Sequence, residues 1–168
     1  MIIFEGIDAT GKSTLAKYCA KRLDKLRWQN NPIPVQSSEG PPKSQEEIHA
    51  RIDKYYTLTN TLFDRHPCIS QPIYGKAREA SVYIEPDYLK HFYKQPHLFI
   101  YCEPVDTLRN HKIKPTDTLE HIRMLEENYH FIHRLYQQWA LQHAQLIYRI
   151  GDDPEFIAQC VLNSLHLI

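Results

Sequence analysis

The chain reads Gly6-Ile7-Asp8-Ala9-Thr10-Gly11-Lys12-Ser13-Thr14 directly after its first five residues. A glycine, four intervening residues, a second glycine, a lysine and a hydroxyl residue form the pattern of a phosphate-binding loop. The glycines let the backbone wrap around phosphates, Lys12 supplies a cation, and Ser13 supplies a hydroxyl ligand for Mg²⁺. The stretch therefore predicts a triphosphate site in which the phosphates contact Gly6, Ala9, Thr10, Gly11, Lys12, Ser13 and Thr14.

The segments on either side of this loop fit the same prediction. The apolar run Met1 to Phe4 precedes it and indicates a strand. Behind it, apolar residues recur at helical spacing at Leu15, Cys19, Leu23 and Leu26. We therefore expect the phosphates to lie at the N-terminus of a helix, where the helix dipole favours anions.

Length and composition limit the class of protein. With 168 residues the chain is long enough for one domain, which we place at residues 1–168. The charge is balanced, with 20 basic and 20 acidic residues, so neither a nucleic acid polymer nor a membrane surface is an expected partner. The four cysteines form no C-x-x-C pair, and no apolar run reaches transmembrane length, which favours a cytoplasmic protein with free thiols.

Ten histidines raise the question of a zinc site. His130 and His133 would share one face of a helix, with His121 some turns earlier. The sequence contains neither an H-E-x-x-H motif nor a cluster of cysteine and histidine at zinc-binding spacing. We therefore expect no transition-metal site.

Short apolar runs alternate with helical patterns along the chain. The predicted strands are Met1 to Phe4, Ile33 to Gln36, Thr61 to Asp64, His97 to Cys102 and Gln145 to Ile150. This alternation predicts an α/β protein with a five-stranded parallel sheet flanked by helices, a three-layer P-loop fold.

Capping signals locate three of the helices. Ser44 with Glu47 three residues later forms a capping box, and Asp117 with Glu120 suggests a second. Asp153-Pro154 predicts the start of the last helix. The helix after Asp117 is expected to bury one face, made of Leu119, Ile122, Leu125, Tyr129, Ile132, Leu135 and Trp139.

A second chemical signal is Leu62-Phe63-Asp64-Arg65-His66, an acid and an arginine at the end of a predicted strand. Ligands of open α/β sheets bind beyond the carboxyl ends of the strands, so these side chains should face the phosphate loop. Asp64 could then hold Mg²⁺, and Arg65 could bind a phosphate through two parallel hydrogen bonds. An ordinary ion pair between Asp64 and Arg65 at a strand end is the alternative.

Together these residues, with Ser70-Gln71 and Tyr74, resemble the thymidylate kinases and the related phage-type deoxynucleoside monophosphate kinases. The resemblance covers nearly the whole chain. It implies transfer of phosphate from ATP with Mg²⁺ to a nucleotide acceptor, and it implies a homodimer. It also implies that Lys12, Arg65 and Asp8 are catalytic, that Asp8 meets the acceptor sugar, and that Arg65 binds the acceptor phosphate. The resemblance further implies that Ser70, Gln71 and Tyr74 contact the base and the deoxyribose.

The chain departs from the family pattern in three places. Ala9 replaces the usual glycine after the loop aspartate, and the usual Arg-Glu-Pro-Gly-Gly stretch is replaced by residues 37–43. The predicted lid, at residues 109–117, is short, and only Arg109, Lys112 and Lys114 could close over the phosphates. These departures leave the acceptor base open.

Three functions are compatible with a phosphate-binding loop. Phosphoryl transfer to a monophosphate needs cations and positioning, which Lys12, Arg65 and Mg²⁺ could supply. A nucleoside kinase would also need a base for the hydroxyl proton, and Glu5 is the candidate. A GTP-dependent switch needs a guanine-reading Asn-Lys-x-Asp, which the sequence lacks. The sequence favours the monophosphate kinase, with the nucleoside kinase as the alternative.

Overall fold

The computed structural model describes residues 1–27, 33–105 and 118–165. The strands are β1 (Ile2–Glu5), β2 (Val35–Ser37), β3 (Leu62–Asp64), β4 (Leu98–Glu103) and β5 (Leu146–Arg149). The helices are α1 (Lys12–Arg27), α2 (Gln45–Thr57), α3 (Pro67–Ala77), α4 (Pro86–Lys94), α5 (Leu119–His143) and α6 (Pro154–Leu165).

The five strands form one parallel sheet in the order β2-β3-β1-β4-β5. β1 is the central strand and pairs with β3 on one side and β4 on the other. The phosphate loop therefore emerges from the middle of the sheet, with the end of β3 beside it. The prediction of an α/β fold with a five-stranded parallel sheet is confirmed.

Alternating strand residues feed two hydrophobic cores, one on each face of the sheet. Ile3, Phe63 and Phe99 pack against α2, α3, α4 and α5 on one face. Phe4 and Ile100 pack against α1 and α6 on the other. The sheet thus separates two helical layers, as the three-layer prediction required.

Two of the three predicted helix starts are confirmed. The Ser44 side chain accepts a hydrogen bond from the backbone N–H of Glu47, and α6 begins at Pro154. The third was wrong by one position: the cap of α5 is Thr118, whose hydroxyl accepts from the backbone N–H of His121. Asp117 lies outside the described residues.

The predicted buried face of α5 was wrong at one end. Leu119 is 75% exposed, because it occupies the first turn, and Ile122 and Leu135 are only partly buried. Tyr136, which the prediction omitted, is fully buried. Leu125, Tyr129, Ile132 and Trp139 are buried as predicted. Of the α1 residues, Leu15, Cys19 and Leu23 are buried, and the side chain of Leu26 lies outside the description.

No helix in the described part of the chain is long and apolar enough to span a bilayer. The same residues contain no group of three or more His, Cys, Asp or Glu side chains that could hold a metal ion. His130 and His133 lie on α5, where both pack near Tyr129.

Candidate active site

The phosphate loop joins β1 to α1 in a backbone conformation that needs glycine at Gly6. Gly6 has a φ of 144°, and a Cβ added there would lie 2.3 Å from the carbonyl oxygen of Cys102 on β4. Gly11 has a φ of 77° and opens the first turn of α1. The loop is therefore held tightly against the sheet at its start and turns directly into the helix.

Ala9 also has a left-handed backbone, with a φ of 64°. This conformation strains any residue with a Cβ, which explains why glycine is usual at this position in the resembled family. Ala9 is exposed at the tip of the loop, so its methyl group meets solvent there. Strain of this kind is often found where a backbone must present its N–H groups to a ligand.

The Lys12 ammonium is held inside the loop. It donates to the carbonyl oxygen of Ile7 at 2.6 Å and to the hydroxyl of Thr10 at 3.3 Å. Burial, together with the nearby Arg65 cation, lowers the pKa of Lys12 to about 8. Lys12 is thus a desolvated cation already aimed at the space that the loop encloses.

Ser13 and Asp64 link the loop to the end of β3. The Ser13 hydroxyl donates a hydrogen bond to a carboxylate oxygen of Asp64, and Asp64 is buried. Asp64 does not form an ion pair with Arg65 among the described residues, so the alternative of an ordinary strand-end pair is not what the structure places there. A hydroxyl and a carboxylate oxygen in contact beside a phosphate loop are suitable ligands for Mg²⁺.

Arg65 follows β3 and turns back over the phosphate loop. Its backbone is left-handed, with a φ of 74°, while its N–H continues the sheet pattern by donating to Phe4 O at 2.9 Å. Nη2 contacts Asp8 Oδ1 at 3.0 Å, the Tyr74 hydroxyl at 2.9 Å and Gly6 O at 3.3 Å. Nε is buried and has no hydrogen-bond partner in the part of the chain that is described.

Asp8 and Tyr74 complete this group. The Tyr74 hydroxyl donates to Asp8 Oδ2 at 2.8 Å. Burial acts to raise the pKa of Asp8, but the cations of Arg65 and Lys12 outweigh it and hold that pKa well below its usual range. Asp8 is therefore a carboxylate at neutral pH and a ready hydrogen-bond acceptor. Tyr74 remains a phenol, since burial raises its pKa.

Glu5, the candidate base, is fully buried beneath the loop. One carboxylate oxygen accepts from the backbone N–H of His66 at 2.6 Å, and the other accepts from the Tyr136 hydroxyl at 3.0 Å. Burial raises the pKa of Glu5 to about 7, although these hydrogen bonds and the Arg65 charge oppose the shift. Glu5 thus joins β1 to α3 and α5.

The predicted base-reading residues are engaged with the backbone. The Ser70 hydroxyl donates to His66 O at 3.1 Å, and the buried Gln71 amide donates to Val82 O at 2.9 Å. Both also line a small cavity between α2, α3 and residues 38–42, together with Arg51 and Tyr55. Recognition of the acceptor base by Ser70 and Gln71 therefore stays a prediction. Arg109, Lys112 and Lys114 of the predicted lid lie outside the described residues.

Sequence reasoning missed three residues at the site. Tyr136 contacts Glu5, Arg78 packs on the Tyr74 ring, and His121 Nε2 lies 3.9 Å from Asp8 Oδ2. Arg78 follows Tyr74 by four residues, which is one helical turn, so helical spacing could have found it. His121 and Tyr136 are brought in by the long-range packing of α5, for which the sequence has no local signal.

No family profile matches the chain, and the search of curated proteins found no match. Among solved structures, YorR from Bacillus subtilis in complex with phosphorylated GDP is 19% identical, with a TM-score of 0.66 over 99% of this chain and 95% of that chain. Thymidylate kinase from Ehrlichia chaffeensis is 16% identical, with a TM-score of 0.57 over 98% and 97% of the two chains.

Deoxyadenosine kinase from M. mycoides with bound dATP is 13% identical, with a TM-score of 0.57 over 98% of each chain. At such identities the likeness carries information about the fold, since one fold can host several functions. The sheet order, the phosphate loop after the central strand and these neighbours agree: this chain has the P-loop nucleotide kinase fold.

Proposed function

We propose that this chain is an ATP-dependent nucleoside monophosphate kinase, which transfers the γ-phosphoryl group of ATP to a deoxynucleoside monophosphate. A dTMP-like acceptor and dGMP are the first candidates. The chain would act as one kinase domain over residues 1–168, with a short lid near residues 109–117. The solved neighbours include a thymidylate kinase, a deoxyadenosine kinase and a protein bound to phosphorylated GDP, which supports phosphoryl transfer on this class of small molecule.

The observation that carries the proposal is the setting of Arg65. Its Nη2 is anchored by Asp8, Tyr74 and the Gly6 carbonyl, while Nε is buried without a hydrogen-bond partner among the described residues. A buried donor without an acceptor costs free energy, so it is expected to meet one in the working state. An acceptor phosphate would supply that oxygen, and the strained backbone of Arg65 fits a functional position.

The donor side of the site fits ATP with Mg²⁺. The loop N–H groups and Lys12 would bind the β- and γ-phosphates, and the oxygens of Ser13 and Asp64 would hold the metal. When bound, Mg²⁺ would offset negative charge on the transferred phosphoryl group.

The chain's own residues would then position the two substrates. Arg65 would hold the acceptor phosphate, and ionised Asp8 would accept a hydrogen bond from the acceptor sugar. Lys12 would stabilise charge on the γ-phosphoryl group, which is most useful as that group leaves the donor. The oxygen of a monophosphate is already ionised near neutral pH, so the reaction needs no general base.

The nucleoside-kinase alternative depends on Glu5 as a base. A base must come within hydrogen-bond reach of the hydroxyl that it deprotonates. Both carboxylate oxygens of Glu5 are instead engaged, by His66 N–H and by the Tyr136 hydroxyl, and the side chain is fully buried. These contacts favour a structural role for Glu5 and leave the monophosphate kinase as the better-supported function.

The decisive experiment is a panel of acceptors with ATP and Mg²⁺. Each of dTMP, dGMP, dAMP, dCMP and the four parent nucleosides is incubated with the protein, and products are separated and identified by mass. We expect a diphosphate from at least one monophosphate and no product from nucleosides. The Lys12→Ala variant, purified in parallel, controls for contaminating kinases. Phosphorylation of a nucleoside, with every monophosphate refused, would replace the proposal with the alternative.

A further inference from the structure

A second arginine, Arg78, lies beside the same group of side chains. It is the C-cap residue of α3, four positions after Tyr74, so both project from one side of the helix. Its guanidinium carbon lies 5.3 Å from the centroid of the Tyr74 ring. The guanidinium carbon of Arg65 lies 5.0 Å from that centroid. Two cations thus pack on one aromatic ring, and their guanidinium carbons are no more than about 10 Å apart.

The two arginines differ in how their charges are compensated. Arg65 forms an ion pair with Asp8 at 3.0 Å. Over residues 1–27, 33–105 and 118–165, no carboxylate lies within 4.0 Å of the Arg78 guanidinium. Arg78 Nη2 instead lies 3.3 Å from Nδ1 of His121, whose other ring nitrogen faces Asp8. Burial lowers the pKa of Arg78, as expected where desolvation is not fully offset.

Packing against Tyr74 does not by itself explain this arrangement. Contact with an aromatic face can be made by the apolar stem of many side chains, without a charge. The nearby Arg65 cation adds like-charge repulsion, which lowers the pKa of Arg78 further, although Tyr74 and Asp8 act in the opposite direction. An anion bound between the two guanidinium groups would remove the repulsion and satisfy both, since a phosphate has enough oxygens to accept from two arginines.

We propose that Arg78 is a second ligand of the acceptor phosphate, and that it acts with Arg65 to select phosphorylated acceptors over free nucleosides. This inference rests on the proposed monophosphate kinase function. Arg65, which is anchored by Asp8, would bind the acceptor phosphate, and Arg78 would add a second positive charge. A free nucleoside has no phosphate for this second charge to bind. Arg78 is therefore a specificity residue whose effect is felt in acceptor binding.

The test is equilibrium binding measured by calorimetry, with dTMP, thymidine, dGMP, deoxyguanosine and ATP titrated into each protein. Arg78→Met removes the charge and keeps an apolar stem against Tyr74, and Arg78→Lys keeps the charge without the planar group. Lys76→Met is the matched control, because it removes a cation from an exposed position on the same helix. The ratio of nucleoside to monophosphate affinity is the main readout, since partial unfolding weakens both ligands by the same factor.

We expect Arg78→Met to weaken monophosphate binding roughly tenfold to a hundredfold, the range for losing a charged hydrogen-bond donor, with nucleoside and ATP affinities within about twofold of wild type. The monophosphate affinity of Arg78→Lys should lie between those of Arg78→Met and wild type, and Lys76→Met should bind each ligand as wild type does. Equal weakening of monophosphate and nucleoside would show a packing role through Tyr74 and overturn the inference. So would an unchanged monophosphate affinity. If the wild-type protein itself binds nucleosides and refuses monophosphates, the proposed function falls as well.

Discussion

Replacement of Glu5 by glutamine should leave the folding stability similar to that of wild type at pH 5 and make it higher than that of wild type at pH 8. Burial raises the pKa of Glu5 from its ordinary value of 4.5 to about 7. Between these values the folded protein holds a proton that the unfolded chain has released, so folding stability falls as pH increases through this window. The difference between these two pKa values corresponds to about 3 kcal/mol of folding stability, which is lost by pH 8. Glutamine never ionises and escapes this loss.

The hydrogen bonds of Glu5 allow a direct comparison of wild type with Glu5→Gln. A protonated glutamic acid can accept from the His66 N–H with one oxygen and donate to the Tyr136 oxygen with the other, and glutamine can do the same. Wild type and Glu5→Gln should therefore have similar free energies of unfolding at pH 5, whereas at pH 8 the variant should be more stable by about 3 kcal/mol. Urea unfolding followed by circular dichroism at several pH values measures both.

Glu126→Gln, which removes an exposed carboxylate from α5, controls for the loss of one formal charge. A difference between wild type and Glu5→Gln that stays constant from pH 5 to pH 8 would refute the reasoning, because it would mean that burial does not perturb the Glu5 carboxyl. Turnover of a monophosphate should persist in the variant. If a nucleoside proves to be the acceptor, a loss of roughly 10² to 10⁴ in its turnover would instead identify Glu5 as a general base.

Three further predictions concern the loop and the acceptor side. Lys12→Ala should lower turnover by on the order of a hundredfold or more with the circular dichroism spectrum unchanged, because the cation acts on the phosphoryl group in transfer; near-normal turnover would contradict this role. Arg65→Lys keeps the charge but loses the planar fork, so the acceptor KM should rise far more than the KM for ATP in steady-state assays. An equal rise in both would make Arg65 a structural residue. Gly6→Ala should prevent stable folding, since its Cβ would lie 2.3 Å from Cys102 O, whereas Ala9→Gly should change the free energy of unfolding by at most about 1 kcal/mol. Thermal melts of the two loop variants test this contrast, and a folded Gly6→Ala protein would show that the sheet can shift there.

Local patterns predicted the fold well. Each of the five strands was located to within two residues, because apolar runs bounded by turn residues mark strands; β1, β3 and β4 are buried on both faces, whereas β2 and β5 at the edges are partly exposed. The capping box at Ser44 and the proline at Pro154 marked helix starts through hydrogen bonds and backbone angles that depend only on neighbouring residues. The error at the start of α5 has the same origin, since Asp117 and Thr118 are both good caps.

The site could be predicted only where its residues belong to one local motif. The phosphate loop and the Asp64-Arg65 pair each lie within a short stretch, and sheet topology brings them together. Glu5 was identified as a candidate base, but its engagement with His66 and Tyr136 depends on packing between distant segments. The clustering of Asp8, Tyr74 and Arg65 was implied by family resemblance, whereas nothing local indicated that a histidine of α5 would approach it.

The length of α5 determines how far its N-terminal end would move if the helix tilted. His121 and Tyr136 lie 15 positions apart on one continuous helix, a span of about 22 Å at the standard helical rise, yet they reach toward Asp8 and Glu5 respectively, which are three residues apart in the chain. The helix therefore spans the site, with Tyr136 in contact with Glu5 and His121 near Asp8. If Tyr136 is the pivot, a tilt of about 5° displaces His121 by about 2 Å, enough to make or break a contact with Asp8. With such a tilt, a small change in packing at the buried end of α5 would be amplified at the polar end, without any bend in the helix.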